Sequence, residues 1–131
     1  MPTPDLCTEE EVHQLVHEFY AQVRDHACLG PIFNAHVRDW DRHLDTMVDF
    51  WSGALRGTAR FRGMPMPKHA ALPGLSADLF RHWLRLFRAT TDGLPNTALR
   101  ESANVLAARI AESLWYGYQM SRQSDPLPQE L

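Results

Sequence analysis

The sequence is nearly without cysteine. Cys7 and Cys28 stand alone, too few for a disulfide framework and without the spacing of a thiolate metal site. A reducing, cytoplasmic setting is the expectation. Long apolar runs are missing too: no stretch approaches the roughly 20 residues that a spanning helix needs, so no membrane partner is expected. The opening Met1-Pro2-Thr3-Pro4-Asp5 lacks the basic and apolar regions of a secretory leader. Positive charge is not in excess either. Thirteen Lys+Arg against sixteen Asp+Glu leave a formal charge of −3, which gives no general attraction for nucleic acid or an anionic membrane. There is no glycine-rich phosphate loop, no nucleophile triad, no base-reading module and no alternating run closed by a hairpin turn.

What remains is globular. The 131 residues, 44% hydrophobic and 22% charged, suit one domain rather than two cores. We expect that domain over residues 1–120, with a frayed tail over 121–131 that carries two prolines. Seven His, four Trp, six Phe and five Met are the unusual resources. They can line a cavity for a flat apolar ligand and offer nitrogen to a metal.

Helical spacing runs through most of the chain. Thr8-Glu9-Glu10-Glu11 is a capping box with acidic residues at the positive end of a helix dipole. Behind it Val12, Leu15, Val16, Phe19 and Val23 share one face, and the helix should end near Cys28. Pro31 opens a short helical turn through Ile32 and Phe33. Asp39 caps a second long helix with the stripe Trp40, Leu44, Met47, Val48, Trp51 and Leu55, bordered by His43 and stopped at Gly57. A loop follows from Thr58 to Pro67, then about one turn of helix over Lys68 to Leu72. Ser76 caps a third long helix with Phe80, Trp83, Leu84 and Phe87 buried. A fourth runs from about Pro95 to Met120 on Leu99, Ala103, Leu106, Ile110 and Leu114. The fold class is therefore all-α.

Several side chains are candidates for chemistry. His69 sits on a short pinned turn, a good mount for an imidazole that ligates haem iron; the bland alternative is a surface His beside Lys68. His43 borders an apolar stripe and is either a half-buried core His or a residue facing a ligand. Tyr20 and Trp83 carry donors that need partners when buried. His13 and His17, at i and i+4, have the spacing of two zinc ligands, but they lie off the apolar stripe and read as a solvated pair. His26, His36 and His82 read as surface residues. Arg56, Arg60, Arg62 and Lys68 form a basic cluster, either a solvated loop or partners for carboxylates of a bound group.

In order along the chain, Phe19-Tyr20, Val23-Arg24, Leu29-Gly30-Pro31-Ile32-Phe33-Asn34, Trp40-Asp41-Arg42-His43, Phe50-Trp51, Gly63-x-Pro65, Lys68-His69, Leu72-Pro73 and Trp83-Leu84-x-Leu86-Phe87 form a set. It resembles the group III truncated haemoglobins over roughly residues 12–118. The resemblance implies a shortened globin, two helices laid over two around a haem b (iron protoporphyrin IX). It implies His69 as the iron ligand, Tyr20, His43 and Trp83 as distal polar residues, Met47, Trp51 and Phe33 as pocket lining, and Lys68 beside the cofactor. Group III members lack the glycine pairs of the other groups, and no Gly-Gly occurs here. Phe61 departs from the family, standing where an aromatic hydroxyl is common. Met47 also departs, standing where a branched aliphatic is common.

With one protein ligand, such an iron leaves a position open to O2, CO or NO. Two donors, at about 1–2 kcal/mol each, imply slow release. That suits redox handling of NO or peroxide, with a reductase partner, better than bulk oxygen delivery. The alternative from another class is a non-haem helical interaction module, which would explain the aromatics as plain core.

Overall fold

In the computed structural model, residues 2–61, 74–122 and 131 are described. Helix α1 spans Glu9–Asp25, α2 Leu29–His36, α3 Trp40–Arg56, α4 Ala77–Asp92 and α5 Thr97–Arg122. No strand occurs among the described residues. Helix α1 packs on α3, α4 packs on α5, and the two pairs meet where α1 touches α4 and α3 touches α5. Helix α2 lies against α1 and α4. The result is a two-over-two helical sandwich, all-α as the spacing of the sequence predicts and arranged as the family resemblance implies. No helix among the described residues is long and apolar enough to cross a membrane.

Local chemistry sets the boundaries. At α1 the Thr8 hydroxyl accepts from the Glu11 N–H and the Glu11 carboxylate accepts from the Thr8 N–H, the reciprocal bond that satisfies two orphan donors. Helix α1 stops at Asp25 rather than near Cys28. The His26 ring causes this: its Nδ1 accepts from the N–H groups of Cys28 and Leu29, at 3.0 and 3.1 Å, and so caps the start of α2 from outside. His26 is thus a half-buried structural residue, not a surface one. Gly30 explains the tight α1–α2 corner. A Cβ there would stand 2.5 Å from the Arg24 carbonyl oxygen, so only glycine lets the two backbones approach. Pro31 falls in the first turn of α2, where its missing N–H costs nothing. Asp39 and Ser76 cap α3 and α4 by accepting from Arg42 and Leu79 N–H groups. Gly57 ends α3 in the left-handed region, φ 79°, where a side chain would be strained. Helix α5 begins at Thr97 because Asn96 Oδ1 accepts from the Leu99 N–H.

The main core packs around α1, and a second, smaller cluster of Ala77, Phe80, Ala111, Leu114, Trp115 and Tyr118 joins α4 to α5. Val12, Leu15, Phe19, Val23, Leu55, Phe87 and Leu99 are sealed from solvent. Helix α5 corrects one expectation. Leu99, Ala103 and Leu114 are buried as expected, and Ala107 and Ala111 are buried with them, while Leu106 and Ile110 are only partly covered. Small alanines along one face let a neighbouring helix approach closely, whereas the larger side chains flank the contact.

The basic cluster is also corrected in part. Arg56 pairs with Glu9, and Arg60 bridges Glu9 and Asp49 at 2.7 and 2.9 Å. Ser52 donates a further bond to Glu9 at 2.6 Å. These two arginines therefore tie the start of α1 to the end of α3. Arg62 lies outside the described residues. The donors hold the Glu9 carboxyl at about 2 rather than 4.5, the Arg60 bond first, then Ser52 and Arg56. Ionised Glu9 therefore favours the folded state. Its contribution is complete above about pH 4.5 and disappears as pH falls toward 2. Thermal melts between pH 5 and 2 should show a steeper loss for wild type than for Glu9→Gln. The pair is half exposed, so the difference should be a few degrees at most.

Candidate functional site

One cavity opens between the helix pairs. It holds about 930 Å³ counting its mouth, and Tyr20, Phe33, His43, Met47, Trp51 and Trp83 all line it. These are six of the eight residues that the sequence assigned to a site. His69 and Lys68 lie outside the described residues. The rest of the wall is apolar: Leu29 and Ile32 from α2, Phe50 from α3, Leu75, Leu79 and Phe80 at the start of α4, and Ile110, Ala111 and Leu114 from α5. Phe50 was legible, because it follows His43 by two helical turns and Met47 by one. The α4 and α5 residues were not, since an apolar side chain that lines a cavity has the same sequence signature as one that fills a core.

Each polar lining residue has a structural reason for its place. Tyr20 follows Phe19 on α1, and the two rings meet edge to face at 5.0 Å. Burial pushes the Tyr20 phenol well above its usual range, so it stays protonated and able to donate. His43, on α3, sets its ring perpendicular to Tyr20 at 5.3 Å and 88°. Its Nε2 is shielded from solvent. Trp83, on α4, stacks on Phe87 at 5.6 Å and 19°. Trp51, from α3, stacks on the same Phe87 at 5.0 Å and 25°. Phe19 supports the group edge-on, 5.1 Å from Phe87 and 5.3 Å from Trp83. Phe87 is therefore the common neighbour of both cavity tryptophans.

The other histidines and Phe61 fall elsewhere. His13 and His17 stack at 3.8 Å, yet no group of three His, Cys, Asp or Glu that could hold a metal exists among the described residues. They are not a fully solvated pair either. His17 Nε2 is buried with no hydrogen-bond partner among the described residues, and desolvation first, then His13, lowers its pKa. His82 is half-buried, 5.0 Å from the His26 ring. Phe61 packs against Phe50 at 5.1 Å, an apolar contact outside the cavity lining.

An apolar, partly open chamber between two crossed helix pairs, with a phenol, an imidazole and an indole as its polar groups, fits a flat apolar cofactor with one polar axial side. It defines a two-over-two globin. The comparisons agree with that class. The chain matches the family described as Bacterial-like globin over residues 5–113. It is 30% identical over 122 residues to the Group 3 truncated hemoglobin ctb of Campylobacter jejuni subsp. jejuni, covering 86% of this chain and 96% of that protein. It is similar to the crystal structure of the group III truncated hemoglobin from Campylobacter jejuni, with a TM-score of 0.80 at 27% identity over 97% of this chain and 100% of that one. The chain belongs to the bacterial-like globin family, within the group III truncated haemoglobins, and membership implies a haem cofactor.

Because Phe87 supports both tryptophans and is 1% exposed, Phe87→Ala should cost about 3–5 kcal/mol. Urea unfolding followed by tryptophan fluorescence will measure it. The native-state fluorescence should change as well, since Trp51 and Trp83 lose their shared contact.

Proposed function

We propose that this protein binds haem b and holds a small diatomic ligand, O2, CO or NO, on the side of the cavity occupied by Tyr20, His43 and Trp83. The observation that carries the reading is the convergence of those three side chains on one otherwise apolar chamber. Haem, when bound, would supply an iron able to bind both an imidazole and a diatomic ligand. His69 is the imidazole, and Lys68 beside it offers an ammonium to a haem carboxylate. Phe33, Met47 and Trp51 cover the apolar surface of the ring system, with burial worth about 25 cal/mol per Å².

Tyr20 and Trp83 are the donors. A phenol kept neutral by burial and an indole N–H both donate to a ligand atom that carries negative charge. Each contributes about 1–2 kcal/mol, and each 1.4 kcal/mol is about tenfold in lifetime. His43 stands against Tyr20 and restricts access. Slow release fits redox handling of NO or peroxide better than bulk oxygen delivery. Turnover of that kind requires a reductase to return ferric iron to ferrous.

Reconstitution with haem tests the cofactor assignment. Wild type should give a Soret band with one histidine-ligated ferrous form, and His69→Ala should lose or strongly shift it. An unchanged band in the variant would remove His69 as ligand. For the donors, stopped-flow oxygen release should accelerate by about tenfold in Tyr20→Phe and in Trp83→Phe. Changes below about threefold in both would discard the hydrogen-bond account and leave the haem assignment standing.

A further inference from the structure

Asn34 and Trp40 belong to the sequence frames that carry the family resemblance, yet the proposed binding chemistry uses neither. Trp40 lies against two polar residues of the cavity, Tyr20 and His43, and Asn34 bonds to Trp40. The Asn34 side chain, on α2, joins three helices. Its Nδ2 donates to the Arg24 carbonyl at the end of α1, at 3.4 Å. Its Oδ1 accepts from the Trp40 indole N–H at the start of α3, at 3.2 Å. The Arg24 guanidinium lies 4.5 Å from the Trp40 ring centroid, within the range of a cation–π contact. The indole is thus held at its edge by a hydrogen bond and on its face by a cation.

Trp40 then meets two cavity residues. The His43 ring stands perpendicular to it at 5.4 Å and 88°, and the Tyr20 ring lies at 6.0 Å. Trp40 precedes His43 by one helical turn, so the two side chains share a face of α3. The three rings contact one another in pairs, and the one outside the cavity lining is the one the amide fixes.

We propose that Asn34 and Trp40 form a clasp that positions His43 against Tyr20, and so sets the barrier a small ligand must cross to reach the cavity. The clasp acts through His43, so both members are positioning residues. The inference rests on the haem-binding reading above. Loss of the clasp frees the His43 ring to leave its edge-to-face contact, and access becomes faster. The amide is the better point of attack, because replacing it substitutes no cavity-lining residue.

Flash photolysis of the CO-bound protein reads the barrier as an association rate. Asn34→Leu and Trp40→Phe should each raise that rate by roughly three- to tenfold, the scale of one neutral hydrogen bond. In a His43→Ala background the same substitutions should have almost no effect, which a merely structural role would not produce. NMR of the CO-bound wild type should show the Trp40 indole proton protected from exchange, and Asn34→Leu should abolish that protection. Asn34→Asp keeps the acceptor and the shape, and should retain most of the protection and the slow association. Unchanged association rates in Asn34→Leu and Trp40→Phe with an intact Soret band would overturn the clasp alone. A rapidly exchanging indole proton in wild type would do the same without any variant. Absence of a Soret band in wild type would remove both the clasp and the haem reading.

Discussion

The stacking of Trp51, Phe87 and Trp83 holds the cavity open and gives it shape. Three flat side chains from α3 and α4 lie face to face, and Phe19 from α1 meets two of them edge-on. Offset and edge-to-face contacts fix ring orientation as well as distance. The two tryptophans that line the chamber thereby receive their positions from a phenylalanine that does not. Helix α5 packs on α4 and adds Ile110, Ala111 and Leu114 to the chamber wall.

The polar half of the chamber follows the opposite logic. Tyr20, His43 and Trp83 keep their donors in a mostly apolar setting, where a buried polar group is costly unless something meets it. A core built only for stability would replace them with apolar residues of similar size. Their convergence is a local conflict between stability and composition, and such conflicts concentrate at functional sites. The neighbouring charged network is conventional by comparison. Glu9 gathers Arg56, Arg60 and Ser52 at the α1–α3 junction, which takes these two arginines out of the set free to meet a cofactor carboxylate.

Much of this was readable in the residues. The capping box at Thr8, the caps at Asp39 and Ser76, and the stop at Gly57 act within one helical turn, so their sequence signatures are complete. The pattern of α3 placed His43, Met47 and Trp51 on one face, and all three line the cavity. His26 was misread because its role depends on a ring nitrogen folding back onto two later N–H groups, which no residue spacing announces. The α5 stripe was read only in part, because Ala107 and Ala111 carry little hydrophobic signal although both are buried. His13 and His17 had the right spacing to touch, but the partial burial of His17 depends on elements packed from elsewhere in the chain.

By itself the sequence determined the helices, most of their limits and buried faces and, through an ordered set of short frames, the family. Those properties arise from local spacing and capping, which act over a few residues. Tertiary structure alone decided which rings meet across helices. It brought α1, α3 and α4 together around Phe87, committed Arg56 and Arg60 to Glu9, and tied α1, α2 and α3 through the Asn34 amide. Such contacts join separate elements, 6 positions apart at Asn34 and Trp40 and 51 at Arg60 and Glu9, and their geometry depends on how whole helices cross.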